Sequence, residues 1–171
     1  MSRVILSNLV RFLILFFVQV FLLKNIGYYN LATPFLYILF ILALPFNIPN
    51  GLLFLLAFLS GLSVDIFYDT LGINAAACTV LALVRIIFIS ITVQREGFDN
   101  EPEPSIGNMG FRWFFFYVLV LTFFHHITLF LLETFQFSDI QYTLIRIVLS
   151  SLFSVFLILV SEAVFFRKKE R

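Results

Sequence analysis

The chain has 171 residues, of which 61% are hydrophobic and 12% charged, and its formal net charge is +1. So little polar side chain excludes an ordinary soluble domain of this length. A charge balance near zero points to no particular partner, and no contact with nucleic acid is expected.

Six membrane-spanning helices are predicted, at residues 4–23, 31–46, 51–67, 72–93, 113–132 and 141–166, as a single transmembrane domain over residues 1–171. The signals are uncharged runs. Residues 25–64 and 113–132 carry no Asp, Glu, Lys or Arg, and about 20 apolar residues suffice to cross the hydrocarbon core. The first segment follows basic residues as a signal peptide does. It ends at Leu22-Leu23-Lys24-Asn25 without a small-residue cleavage pattern, so it reads as a retained span. Residues 25–30 form a turn with interfacial tyrosines, and residues 47–51, with Pro49 and Gly51, form a second turn. Segments two and three are short for a bilayer and are read as tilted, re-entrant or buried among the others.

In the third segment Ala57, Gly61 and Asp65 recur every four residues, and Asp69 extends the series. A small-residue stripe of this kind suits close helix contact, with the carboxylates at its end. With Ser60, Ser63, Ala75, Ala76, Ala77 and Ala82 it makes segments three and four the least bulky pair, the expected packed centre. A carboxylate pair binding a cation or doing acid–base chemistry is the functional alternative.

Cys78, the sole cysteine, allows no intramolecular disulfide and no thiolate zinc cluster, and reads as a packing residue. Arg85 lies within the fourth segment and calls for a counter-charge, with Asp65, Asp69 and Glu133 as candidates. The connector at about residues 95–111 is acidic and proline-bearing, which predicts a flexible surface loop or a docking site for a basic partner.

The fifth segment holds His125 and His126, with Glu133 following. Adjacent histidines diverge by about 100° on a helix, so only one shares a face with Glu133. The zinc-protease pattern is absent, and polar contact between helices is the expected role. Arg146 lies within the sixth segment as a further buried polar group. Glu162 is expected to snorkel towards Arg167 at the interface.

No cofactor or metal is expected, and no nucleophile elbow, phosphate-cradling glycine loop or Cys/His nucleophile pattern is present. Placing both termini in the cytoplasm puts Arg3, Arg11, Arg95, Arg112, Arg167, Lys168, Lys169 and Arg171 inside and only Lys24 outside. The basic tail at 167–171 suits anionic headgroups.

Segments two to four carry a succession of short motifs: Pro34-Phe35-Leu36-Tyr37, Leu44-Pro45, Gly61-Leu62-Ser63-Val64-Asp65-Ile66-Phe67 and Leu71-Gly72-Ile73-Asn74-Ala75. This resembles the rod shape-determining MreD family of bacterial inner-membrane proteins, whose pattern is a Gly-Leu-x-x-Asp span followed by Leu-Gly-x-Asn/Thr-Ala. Length, span count and basic tail agree with it. The resemblance carries over to Gly61, Asp65, Gly72, Asn74 and Ala75, and to nothing at Asp69, His125, His126 or Glu133. It implies an all-α fold similar to the six-helix substrate-binding subunit of energy-coupling-factor vitamin transporters. It also implies a non-enzymatic subunit of the cell-elongation machinery that binds the bitopic protein MreC. Through MreC it would support MreB filaments, RodA and a penicillin-binding protein in peptidoglycan synthesis. The alternative function is a vitamin-like small-molecule binding subunit of a transporter, using a pocket near His125 and Glu133. The sequence leaves open a homodimer, the helix face that meets the partner and the counter-charge of Arg85.

Overall fold

Where lipid excludes water, a chain must satisfy its backbone N–H and C=O groups internally, and a continuous helix does so within one segment. The computed structural model describes residues 2–26, 32–93, 103–134 and 140–165, and its elements are all helical. Helix α1 is Ser2–Phe17, continued by a π-helical turn, Val18–Leu22, and a 3-10 turn, Leu23–Asn25. There follow α2, Leu39–Leu42, α3, Asn50–Tyr68, and α4, Ile73–Thr92. A short α5, Ile106–Met109, precedes α6, Phe111–Thr134, and α7, Ile140–Phe165. Among the described residues five stretches are long and apolar enough to cross a membrane: Asn8–Asn25, Asn50–Tyr68, Ile73–Thr92, Phe111–Thr134 and Ile140–Val164. The chain is thus a multi-pass membrane protein by length and composition.

The long helices pack in succession, α3 on α4, α4 on α6 and α6 on α7. Their outward faces carry Leu55, Phe58, Leu83, Ile87, Phe116, Phe124, Leu152 and Phe156, all exposed, as suits hydrocarbon. Three contacts set the level of the ends. Lys24 Nζ donates to the carbonyl of Phe67, so α1 and α3 finish together. Arg11 bonds Glu103 and Glu162 accepts from Ile106 N, so the start of α1 and the end of α7 share the opposite end.

That geometry forces a passage between α1 and α3. The expected second helix at 31–46 is where the structure departs from the sequence reading. Within residues 32–46 only Leu39–Leu42 are α-helical, and Thr33–Leu36 are irregular. This crossing segment, residues 33–45, is nevertheless the longest unbroken buried run among the described residues, with Phe35–Leu44 all in the core. The described residues thus hold five long apolar helices and one irregular segment that runs back between the two ends of the bundle.

Of the expected acidic loop, residues 94–102 lie outside the described residues, as does the basic tail 167–171. Within residues 103–110 Pro104 is buried and Ile106 of α5 packs against the core.

Candidate functional site

The polar interior begins at the corner between α3 and α4. The last turn of α3 ends at Asp69, which adopts a left-handed conformation at φ 55° and donates its backbone N–H to the carbonyl of Asp65. Gly72 at φ 82° then starts α4, a conformation glycine reaches without the penalty of a Cβ. The first N–H groups of α4 have no partner within the helix. Asp65 supplies one from α3. Its Oδ1 accepts from Asn74 N at 3.0 Å and Asn74 Nδ2 at 3.1 Å, and its Oδ2 accepts from Ala75 N at 2.9 Å. The Thr70 hydroxyl donates to Oδ1 as well. A carboxylate at a helix N-terminus also opposes the positive end of the helix dipole.

Gly61 makes that capping reachable. A Cβ there would lie 2.5 Å from Asn74 O, 2.6 Å from Ala75 Cα and 2.7 Å from Ala75 N. The first turn of α4 therefore rests on the bare backbone of α3, one turn before Asp65. Ala57, another turn back, is fully buried in the same stripe. Gly61, Asp65, Gly72, Asn74 and Ala75 thus meet in one corner. Asp69 does not join them: it is exposed at the turn, because the left-handed residue that ends α3 turns its chain out of the helical face.

From the corner, hydrogen bonds run inward, and their directions are fixed. Asn74 Nδ2 donates to Asp65, so its Oδ1 accepts from the Tyr37 hydroxyl at 3.2 Å. With that proton committed, the Tyr37 oxygen accepts from His125 Nε2 at 3.1 Å and from the Cys78 thiol at 3.3 Å. Cys78 Sγ and His125 Nε2 are 3.8 Å apart. His126 turns the other way. Its Nδ1 donates to the Thr122 carbonyl at 2.8 Å, and its Nε2 faces Ser154 Oγ at 3.2 Å. The two histidines serve different neighbours, as their angular divergence on α6 requires.

The same side chains hold the crossing segment. Ser154 Oγ accepts from Phe35 N at 2.9 Å, and Ser150 Oγ accepts from Thr33 N at 3.0 Å. Gln19, in the π-helical turn of α1, accepts from Leu36 N at 2.8 Å and donates to Pro34 O at 3.1 Å and to the Tyr68 hydroxyl at 2.7 Å. Further along, the Tyr117 hydroxyl donates to Leu42 O at 2.8 Å and Arg11 to Ala43 O at 3.1 Å. Arg85 donates to the carbonyls of Leu44 and Pro45, and its Nε donates to Tyr117 at 3.1 Å.

This corrects the reading of Arg85. It is 2% exposed, and among the described residues no carboxylate lies within ion-pair distance of it. Its partners are two carbonyls and a phenol. Backbone oxygens freed by an irregular segment supply the electron density that was expected from an acid. Glu133 instead pairs with Arg146 at 3.3 Å, and Arg146 lies 4.4 Å over the Phe130 ring. The Glu133 side chain is 40% exposed, so the pair is peripheral and contributes at most about 1 kcal/mol. Glu162, expected at the interface, is buried and accepts from Ile106 N at 3.3 Å.

Sequence reasoning missed Gln19, Tyr37, Tyr117, Ser150 and Ser154. Ser150 and Ser154 are four apart on α7, and that spacing was a legible sign of a polar face directed inward. Comparisons with protein-family models, with curated proteins and with solved structures return no match.

Proposed function

We propose that the chain is a non-enzymatic multi-pass subunit of the bacterial inner membrane. Its work is to contact a bitopic partner of the MreC kind within the cell-elongation machinery. The α3–α4 corner carries this reading. The five residues that bear the MreD resemblance are one physical unit there: Gly61 admits the first turn of α4, Gly72 starts that turn, and Asp65 caps Asn74 and Ala75. Asp65 has both oxygens engaged by four donors, which suits a fastener better than an acid or base. Buried Phe35 and Tyr37 pack against His125, beside which the alternative reading places the pocket for a vitamin-like ligand. Both termini are assigned to the cytoplasm from the distribution of Lys and Arg.

The test is purification of the tagged protein from its native membrane. Recovery of a bitopic protein with a large extracytoplasmic domain is the expected result. Recovery of a pair of nucleotide-binding subunits would overturn the proposal. Asp65→Asn keeps one acceptor oxygen and should keep partner recovery, whereas Asp65→Leu should lose it. Equal loss from both, with the fold intact, would point to chemistry at Asp65.

A further inference from the structure

The corner and the crossing segment account for the interior from the Lys24 end as far as Tyr117 and Arg85. A separate group of charges lies at the opposite end. Arg11 reaches two places at once: one arm donates to Ala43 O at 3.1 Å and Asn8 Oδ1 at 3.3 Å, the other to Glu103 at 3.0 Å. Ala43 belongs to the crossing segment, and Glu103 begins the folded part of the acidic connector. From Glu103 the chain is locally braced. Asn108 Nδ2 donates to Glu103 O at 3.0 Å, Ser105 Oγ accepts from Asn108 N at 3.1 Å, and Pro104 is buried. Ile106 packs its side chain against the core while its N–H donates to Glu162 at 3.3 Å.

We propose that residues 103–110 are a strap closing this end of the bundle, with Arg11 as the latch that couples the strap to the crossing segment. Among the described residues the strap is held to the bundle by one ion pair, one N–H to carboxylate bond, and the packing of Pro104 and Ile106. Segments held by few apolar contacts open at lower free energy than the helices they rest on. The Arg11 and Glu103 side chains are 10% and 28% exposed, so salt weakens the pair, by less than it would a fully exposed one. Opening removes the Glu103 carboxylate from Arg11 and the Ile106 N–H from Glu162, which is itself 3% exposed. The guanidinium that steadies Ala43 O then loses part of its positioning. Seating of the cytoplasm-assigned loop and seating of the crossing segment become one equilibrium.

Cys78 makes this measurable. It is the only cysteine and is fully buried, so one introduced cysteine reports alone. Ile106→Cys reads the strap and, in a separate protein, Ala43→Cys reads the end of the crossing segment. The rate of modification by a water-soluble maleimide is followed in detergent micelles. Adding Glu103→Gln should raise both rates between about threefold and tenfold, the span from a partly exposed ion pair to a charge-assisted hydrogen bond. Raising NaCl to about 1 M should raise both without any change at Glu103, which keeps the test independent of how that variant folds. Glu133→Gln, at the other end, should change neither. An Ile106→Cys rate indifferent to both Glu103→Gln and salt would overturn the latch. A rise at residue 106 with none at 43 would overturn the coupling, and a rise with Glu133→Gln would show general loosening instead.

Discussion

Two regions of this molecule meet the same demand in opposite ways. At the α3–α4 corner a single carboxylate satisfies the exposed start of a helix, and two helices approach until only glycine fits between them. Along the crossing segment no one residue suffices. Gln19, Ser150, Ser154, Tyr117, Arg85 and Arg11 each take one to three backbone groups, and they come from α1, α4, α6 and α7. The corner is therefore a local device that a short motif can encode. The crossing segment is a distributed one, written across the whole chain. An unpaired backbone group in an apolar interior costs several kcal/mol, so both solutions are obligatory, but they fail differently.

The largest effect should come at the corner. Gly61→Ala places a methyl within 2.5–2.7 Å of α4 backbone atoms, and moving α4 away separates Asp65 from its donors. A loss of about 3 kcal/mol or more is expected in unfolding titrations in mixed micelles. Asp65→Leu should cost about as much, because four donors lose their acceptor. Gln19→Leu should cost about 2–3 kcal/mol, since Pro34 O, Leu36 N and the Tyr68 hydroxyl lose a partner together. Ser154→Ala should cost about 1 kcal/mol by the same measurement. Combined with Gln19→Leu it should depart from additivity, because both side chains grip adjacent residues of one segment. A strictly additive pair would mean the segment is not held as a unit. The smallest effect is Glu133→Gln, below about 0.5 kcal/mol, for a half-exposed pair outside both regions.

That contrast also explains what could be read in advance. Helices α3, α4, α6 and α7 are visible as apolar runs between turn signals, and the Gly61/Asp65 stripe points to the contact where it lies. The second passage reads as a helix in the sequence because Phe35, Leu36, Ile38, Leu39, Phe40, Ile41 and Leu42 look the same to a hydropathy count whether helical or irregular. Pro34 and Pro45 at its edges and Gln19 in an otherwise apolar span were the signals available. Arg85 was assigned a carboxylate for the same reason: the carbonyls of Leu44 and Pro45 are free to accept only when no helix uses them. The exposure of Asp69 followed from a left-handed residue that helical spacing alone does not foresee.

Backbone chemical shifts of residues 33–45, measured by solid-state NMR on the labelled protein in lipid bilayers, test the central claim most directly. Non-helical shifts at Thr33–Leu36 and helical shifts confined to the neighbourhood of Leu39–Leu42 are the predicted pattern. Unbroken helical shifts across residues 33–45 would make the passage a sixth helix and contradict it.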